Sequence, residues 1–562
     1  MKARPPAWIT LPIAISLLAT SPAWGNPLHR FVGRAEGEIR DHVWIGWLVQ
    51  HRVWTDHALP LFFPDVGFPS GISLYPLDPL NQLVVTALTP LIGLAPALLL
   101  LTTTLLALAG IAGGRLARAL GLPPGRAALV SVLTMLGPPI LGSFVDGQTE
   151  GMGSCWALFA LATFVERGPW QGVAGLRRAL RLGLEGAALI ASSPYQAHAW
   201  TLAAGLLLVA LLIRRSFPPL ALAALLLWLP VGLVCGASLH HAEGGRTGQI
   251  TQRSRTGDWP PRTTVPTAEL PPEQPHVGPS PTAVMPWPRE LRLLPPTTGP
   301  RRWSGVALPV MVGMAALAAA RRLRTTRKQG AAAVLALTAG ALLYGSITLG
   351  SAHEHGFDTP FPFDWWYRLY PLARLAWKPQ QYAVPAWQLA SVAAGFLPTP
   401  LLAVGCLGAL LEIQFQSPVQ LPLPALQFDP QPWMAAVHGP VIEFPSRGRA
   451  RGGVGRMPYD ELLAQTVHQQ PIADPFGRGV RPMFDGLMSA LGKQAGWPVP
   501  PNCPALGTAI STVAHAGFDV LVIHAPALTQ SERHDLKTGL TGILGEPQDV
   551  GGVWLWDLGR AR

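Results

Sequence analysis

Long apolar stretches separated by short polar segments dominate this chain. A helix needs about 20 predominantly apolar residues to cross the ~30 Å of hydrocarbon in a bilayer. By that measure the pattern predicts eleven membrane-spanning helices, several of them short, at 8–24, 95–114, 127–144, 151–166, 182–194, 197–213, 217–237, 304–320, 330–350, 382–397 and 399–415. The sequence therefore predicts an α-helical polytopic membrane protein.

Composition supports that class. Charged residues make up 13% of the 562 residues and apolar residues 49%, whereas soluble domains usually carry about 25% charged residues. The 59 glycines and 59 prolines follow no three-residue period, which excludes a collagen-like chain. So small a share of charge cannot cover the surface of a soluble protein of this size.

The net charge of +11 comes from short basic clusters between apolar runs. With the N-terminus in the cytoplasm, the clusters at 115–126, 167–181, 214–215 and 321–328 all fall in inner loops, as the positive-inside rule requires. They form no single basic stripe, so we expect no nucleic-acid partner. The first apolar segment also has the features of a signal peptide, and its cleavage stays open.

This topology divides the chain into six parts. They are a first transmembrane helix or signal anchor (1–24), a first extracytoplasmic loop with an acidic motif (25–94), two parts of a transmembrane bundle (95–237 and 304–415), a Pro-rich extracytoplasmic loop (238–303) and an extracytoplasmic α/β domain (416–562). In the last part, strand-like runs at 441–444, 520–524 and 553–557 alternate with helix-like runs at 459–468, 505–516 and 531–544.

The sharpest candidate chemistry lies in the first outer loop. Asp41 follows Glu38 by three residues and precedes Trp44 by three, so a helix places all three on one face. A carboxylate there can act as a general base or bind a divalent cation. The alternative is a solvated helix face that covers the bundle. Trp44 and Trp47 are expected at the membrane interface.

Other polar residues of the outer segments have two interpretations each. Asp65 and Asp78 stand in Pro-rich turns, where Asp commonly bonds nearby backbone N–H groups. The segment 146–150, with Gln148 and Glu150, fits a turn followed by a helix start, or a substrate-facing loop. Arg374 and Lys378 lie among tryptophans, as lipid-phosphate ligands or as snorkelling anchors.

Several short motifs together resemble a known family. They are Gly37-Glu38-x-x-Asp41-His42-x-Trp44, Phe63-Pro64-Asp65-x-Gly67, Asp78-Pro79, Asp146-Gly147-Gln148-Thr149-Glu150, Ala376-Trp377-Lys378-Pro379 and Pro440-Val441-Ile442-Glu443-Phe444-Pro445. Their order, with one span, an acidic loop, many spans and an outer C-terminal domain, resembles the GT-C superfamily of polytopic glycosyltransferases. It resembles the bacterial YfhO-like membrane proteins more closely.

The resemblance implies a glycosyltransferase of the bacterial inner membrane that acts on the extracytoplasmic face. Its donor would be a polyprenyl-phosphate sugar, and its acceptor a glycan, a lipid or a protein. Asp41 or Glu38 would take the acceptor proton. The substrate-binding residues implied are Asp65, Asp78, Gln148, Glu150, Arg374 and Lys378. No residue is assigned to a metal, and a divalent cation remains an open alternative.

Two other functions remain open at this point. The first is a non-catalytic membrane protein of envelope or polysaccharide assembly. The second is a transporter, for which paired repeats and broken helices near the bilayer midplane are typical. The sequence shows no internal repeat, and its acidic cluster is expected at the membrane surface, so the transporter is less favoured.

Overall fold

The computed structural model describes residues 5–34, 39–66, 68, 71–73, 78–147, 149–166, 168, 170–193, 196–197, 199–200, 307–324, 331–347, 382–415, 421–445, 459–473, 481–497, 499 and 502–562. Most of the described residues up to position 415 are helical. The helices are α1 (Ala7–Ala19), α2 (Ser21–Trp24), α3 (Ile39–Trp54), α4 (Pro79–Ile92), α5 (Leu94–Ala119), α6 (Pro124–Met135), α7 (Pro138–Asp146), α8 (Thr149–Met152), α9 (Cys155–Val165), α10 (Gly172–Ser192), α11 (Ala307–Arg324), α12 (Ala331–Ile347), α13 (Ala383–Ala394) and α14 (Thr399–Phe415).

By length and hydropathy alone, one helix of the described part, α5, could cross a membrane. Helices α6 and α7 would form a second span if taken together, although they are bent by 47° at their junction. The other apolar helices of the bundle are shorter. Helix α5 matches the span predicted at 95–114, and the count of eleven stays a prediction. The predicted spans 197–213 and 217–237 and the loop 238–303 lie outside the described residues, apart from parts of 197–200.

Small residues let α1 pack closely against α5. A Cβ added at Gly110 would lie 2.9 Å from Cβ of Pro12 and 3.0 Å from Sδ of Met135. A Cβ at Gly114 would lie 3.2 Å from Cβ of Trp8. The first apolar segment therefore packs against the glycine face of α5.

We expect a Gly110→Leu substitution to weaken this packing. The added side chain has no room between Pro12 and Met135, and overpacking of this kind costs about 1–3 kcal/mol. The midpoint of thermal unfolding in detergent should fall. Gly313→Leu is the matched control, because no atom lies within 4 Å of a Cβ at Gly313. Equal midpoints for the two variants would contradict the close packing.

An ion-pair network lies inside the bundle where α5, α9 and α10 meet. Arg115 of α5 donates to Glu185 Oε1 at 2.8 Å, to Glu166 Oε1 at 2.9 Å and to Thr163 Oγ1 at 2.7 Å. The side chains of Arg115 and Glu185 are each 9% exposed. Arg181, which is 52% exposed, also donates to Glu185 Oε1, at 3.1 Å. The network ties three helices together through one guanidinium group.

The C-terminal domain, defined here as residues 421–562, contains a mixed sheet. Its strands are β5 (Val441–Phe444), β6 (Val520–His524), β7 (Gln548–Val550) and β8 (Val553–Asp557), in the order β5-β6-β8-β7. Strand β5 runs parallel to β6, and the other two pairs are antiparallel. The helices of this domain are α15 (Pro432–Ala436), α16 (Tyr459–His468), α17 (Arg481–Gln494), α18 (Leu506–His515) and α19 (Gln530–Leu544). One face of the sheet packs on α17, α18 and α19.

The other face of that sheet is joined to the first loop. Trp44 and Trp47 of α3 share an apolar core with Val441, Val522 and Ile472 of the C-terminal domain. The two indole rings belong to residues that are only 1% and 6% exposed. The prediction that they lie at the membrane interface is therefore wrong. Their large apolar surfaces fill the layer between α3 and the sheet instead.

Two short strand pairs complete this junction. Strand β1 (Arg30–Val32) pairs antiparallel with β4 (Ala425–Gln427), so the segments that follow the first and the last described bundle helices meet. Strands β2 (Phe62–Phe63) and β3 (Ile72–Ser73) form a hairpin after α3. Next to this hairpin, Val66 makes a parallel bridge to Ile472, which also bridges to Val441. The first loop and the C-terminal domain are thus one packed unit.

Candidate functional site

The first turn of α3, which carries Asp41, lies against the corner between α7 and α8. Gly147 at this corner has φ +72°, and a Cβ there would overlap the side chain and Cα of Ile39. Only glycine combines that backbone conformation with so close an approach. Beside it, Nε of Arg34 donates to Asp146 Oδ1 at 2.7 Å. The predicted acidic segment 146–150 is thereby brought to the start of the helix that carries Asp41.

A buried chain of polar groups extends from α3 across this corner. Thr149 Oγ1 lies 3.0 Å from Nδ1 of His42, the residue after Asp41, and donates a short hydrogen bond to Asp78 Oδ2. A hydroxyl has a single hydrogen, so Nδ1 of His42 is then the donor to Thr149. His42, Thr149 and Asp78 are 4%, 1% and 1% exposed.

Two side chains in the first turn of α4 donate to the two carboxylate oxygens of Asp78. Gln82 Nε2 donates to Oδ1 at 3.1 Å, and Asn81 Nδ2 lies 3.4 Å from Oδ2. Asn81 Nδ2 also lies 3.1 Å from the carbonyl oxygen of Thr149 and 3.5 Å from that of Ser192. Asp78 directly precedes Pro79, the first residue of α4, so the start of this helix fixes the position of Asp78. With both oxygens engaged, Asp78 holds the cluster together.

An apolar groove begins at this cluster. It has a volume of about 920 Å³ and runs between α4, α5 and α10. The polar and charged residues of its lining are Asn81 of α4 and Arg177, Arg181 and Glu185 of α10. Arg177 and Ala191 both line it from α10, and at 1.5 Å per residue they are about 21 Å apart. The groove therefore extends along about 21 Å of α10, and its lining is mostly apolar.

The predicted site residues fall into four sets, of which Asp65 is the last. The structure brings the first turn of α3, with half-buried Asp41, to Asp78 through His42 and Thr149. Glu150 belongs to α8 next to Thr149, and nothing is described of its side chain. Glu38, Gln148, Arg374 and Lys378 lie outside the described residues. Their predicted roles stay predictions.

Asp65 lies apart from this cluster, at the junction with the C-terminal domain. Its carbonyl oxygen accepts hydrogen bonds from the Ile472 backbone N–H at 2.9 Å and from Gln465 Nε2 at 2.9 Å. Burial, and next the negative charge of Asp56, raise the pKa of its carboxyl above the ordinary value. No described contact links Asp65 to His42, Thr149 or Asp78. Its visible role is to join the hairpin to the C-terminal domain.

A second group of buried titratable residues lies between α16 and the sheet. His524 Nε2 lies 2.6 Å from Glu443 Oε2, and Trp433 packs edge-on against the His524 ring. His468, at the end of α16, is 6% exposed, and its Nδ1 accepts the backbone N–H of Gln470 at 3.0 Å. Burial lowers the pKa of His468 to about 4, against the opposite influence of Glu443.

We expect acid to destabilise this junction through His468. In the unfolded chain the pKa of a histidine is about 6.5. Between pH ~6.5 and ~4, His468 is therefore protonated in the unfolded state but neutral in the folded state. Stability should be full above pH ~6.5 and should fall by up to about 3 kcal/mol towards pH ~4. Hydrogen exchange of α16 at several pH values measures this. A His468→Asn variant should lose that part of the pH dependence, and a variant of exposed His515 should keep it.

The described residues do not form a metal site. In the described part of the chain, no group of three His, Cys, Asp or Glu side chains could hold a metal ion. Both carboxylate oxygens of Asp78 accept hydrogen bonds, from Thr149, Asn81 and Gln82. We therefore assign no step to the divalent cation that the sequence left open.

Four polar residues of the cluster were not predicted as site residues. His42 and Thr149 lie within the motifs quoted above, each beside a carboxylate that drew attention first. Asn81 and Gln82 follow Asp78-Pro79, and proline at the first position of a helix is the signal that would have placed them in a helical turn. The contact of Asn81 with Thr149, 68 residues away, has no local signal.

No protein-family model matches the sequence, and no curated protein matches it. Solved structures do match. Arabinofuranosyltransferase AftD from Mycobacteria has a TM-score of 0.52 at 16% identity, over 99% of this chain and 40% of that chain. The Archaeoglobus fulgidus oligosaccharyltransferase has a TM-score of 0.45 at 14% identity, over 92% of this chain and 69% of that chain. ArnT from Cupriavidus metallidurans has a TM-score of 0.42 at 15% identity, over 99% of this chain and 98% of that chain. This chain spans about two-fifths of AftD. The likeness to AftD shows that this chain shares a fold with that part of AftD.

Proposed function

We propose that the protein is a membrane glycosyltransferase that transfers a sugar from a polyprenyl-phosphate donor to an acceptor on the extracytoplasmic face of the bacterial inner membrane. One observation carries this proposal. Asn81 lines the apolar groove and is also hydrogen-bonded to the buried polar cluster beside the first turn of α3. A groove that extends along about 21 Å of α10 suits an isoprenoid tail, and the polar cluster beside Asn81 suits a phosphate-linked sugar.

Asp41 fits the role of general base better than Asp78. It is half-buried in the first turn of α3, whereas Asp78 is 1% exposed and accepts from three donors. The Asp41 carboxylate takes the proton of the acceptor hydroxyl as the hydroxyl oxygen bonds to the anomeric carbon. The bond from that carbon to the phosphate oxygen breaks, and its electron pair leaves with polyprenyl phosphate.

The remaining predicted residues have supporting roles in this proposal. Glu38, three residues before Asp41, is the alternative base. Arg374 and Lys378 would hold the departing phosphate, whose growing negative charge favours cationic partners. His42 and Thr149 hold the first turn of α3 against Asp78 and so orient Asp41. No step needs a nucleotide, since the donor is carried by a lipid.

The test uses the full chain reconstituted in liposomes. A panel of radiolabelled polyprenyl-phosphate sugars is supplied together with envelope glycan and lipid fractions as acceptors. The proposal predicts that one donor is consumed and that polyprenyl phosphate and labelled product appear in equal amounts. Consumption of none of the donors, by protein that is folded in the same liposomes, would favour a non-catalytic role in envelope assembly.

The groove makes a separate prediction about donor binding. Ala188 lines the groove from α10, and an Ala188→Trp substitution should fill it. We expect the KM for the lipid-linked donor to rise at least tenfold, with a smaller effect on kcat, because tail binding contributes to the ground state and the transition state alike. Val173→Trp, at a 67% exposed position of the same helix that does not line the groove, is the control. An unchanged KM in Ala188→Trp would place the donor elsewhere.

A further inference from the structure

The layer between α3 and the C-terminal sheet contains a buried amide. Gln465 of α16 is 0% exposed and lies beside Trp44, in the core that α3 shares with the C-terminal domain. A buried amide is retained only where its hydrogen bonds are made, because an unpaired one costs free energy. The partners of Gln465 therefore show what it holds.

Gln465 joins three separate segments. Its Oε1 accepts from Nε1 of Trp44 at 2.8 Å, and its Nε2 donates to the carbonyl oxygens of Asp65 at 2.9 Å and of Gln470 at 3.2 Å. Both amide hydrogens are thereby used, so the side chain has no donor to offer a ligand. Its contacts are those of a clamp between α3, the hairpin and the C-terminal domain.

The clamp acts on the helix that carries the proposed base. Trp44 follows Asp41 by three residues, so the two lie on one face of α3, and fixing the Trp44 indole fixes the rotation of that face. The hairpin has further support, because Ile472 donates its N–H to Asp65 and Phe68 donates its N–H to Ile472, at 2.9 and 3.1 Å. Losing Gln465 should therefore release α3 more than the hairpin.

We propose that Gln465 is a positioning residue for sugar transfer: it sets the rotation of α3, and with it the direction of Asp41, from within the C-terminal domain. The inference rests on the proposed function. It assigns the C-terminal domain a part in the catalytic centre. Acceptor recognition by that domain is not needed for this role.

The experiment compares Gln465→Met, which keeps length but makes no hydrogen bond, with Gln494→Met. Gln494 belongs to the same domain, donates to the Asp535 carbonyl at 2.8 Å and has no described contact with α3, so it is the matched control. Hydrogen exchange of α3 is measured on the full chain in nanodiscs, together with kcat and KM for the lipid-linked donor. Trp44→Phe removes the same hydrogen bond from the other side.

We expect Gln465→Met and Trp44→Phe to raise exchange in α3 about tenfold and to lower kcat about tenfold with donor KM unchanged, while Gln494→Met does neither. Exchange in α3 equal to that of Gln494→Met would overturn the clamp. A rise in exchange with unchanged kcat would overturn the positioning role. If the wild type transfers no sugar, the proposed function fails and the positioning role with it, while the exchange data still decide whether Gln465 clamps α3.

Discussion

An Asp41→Asn substitution is expected to slow sugar transfer by about 10²–10⁴-fold, the usual contribution of a general base. The amide keeps the size and the polarity of the side chain but cannot take the acceptor proton. Binding of the lipid-linked donor should be little changed, since the groove is formed by α4, α5 and α10. The measurement is the single-turnover rate of product formation in liposomes at saturating donor.

Asp56→Asn provides the control for this variant. Asp56 lies just after α3, and its carboxylate pairs with Arg52 at 2.8 Å in a partly exposed ion pair, which contributes little to stability. Its rate should stay within a factor of about two of the wild-type rate. If Asp41→Asn transfers sugar as fast as Asp56→Asn, the base is another residue, and Glu38→Gln becomes the decisive variant.

The second large effect is expected on folding. Arg115→Ala removes the buried guanidinium partner of Glu185 and of Glu166, and leaves Glu185 paired only with Arg181, which is 52% exposed. Removing one partner of a buried ion pair typically costs about 3–5 kcal/mol, because the remaining charge is left without compensation. The thermal midpoint in detergent should fall steeply, and the helices α5, α9 and α10 should become accessible to protease.

Arg181→Ala tests the same carboxylate from its exposed side. Arg181 is 52% exposed and also pairs with Glu185, so its loss should cost no more than about 1 kcal/mol. A double variant, Arg115→Met with Glu185→Gln, should recover part of the stability by removing the charges together. A midpoint for Arg115→Ala no lower than that for Arg181→Ala would show that the network does not hold the bundle.

Local patterns predicted the C-terminal elements well. The strand-like runs at 441–444, 520–524 and 553–557 are the strands β5, β6 and β8, and the three helix-like runs match α16, α18 and α19. Each of these elements combines a regular apolar period with clear ends. Helix α4 was not predicted, because Pro79 and Pro90 gave its apolar residues the appearance of a loop. Proline is tolerated at the first turn of a helix, where its missing N–H has no partner to lose.

Helix α10 shows a related limit. The sequence separated an Arg-rich stretch from a short apolar span at 182–194, whereas one helix of 21 residues runs from Gly172 to Ser192. Arginine is compatible with a continuous helix, and Arg178 lies over the Trp170 ring at 4.1 Å while its guanidinium bonds the carbonyls at the end of α9. The change from the Arg-rich stretch to the apolar span reflects a change in the surroundings of the side chains. The helical backbone continues through both.

The sequence predicted individual residues of the site, but it did not predict the contacts that bring them together. Asp41 and Asp78 stood out as carboxylates in outer segments, but their connection through Thr149 joins residues 71 and 107 positions apart. The hydrogen bond between Trp44 and Gln465 spans 421 positions. Contacts of this kind depend on tertiary packing, for which a single sequence carries no local signal. The finer resemblance to YfhO-like proteins stays a prediction.

The central claim of the proposed function is an orientation: it requires α3 and the C-terminal domain, packed as one unit, to lie on the extracytoplasmic side of the membrane. Labelling of introduced cysteines with a membrane-impermeant maleimide tests it in intact cells, in a Cys503→Ser background. Ser531→Cys in the C-terminal domain should be labelled in intact cells, and Val173→Cys, at the opposite end of α10, only after permeabilisation. Labelling of Ser531→Cys only after permeabilisation would contradict the account.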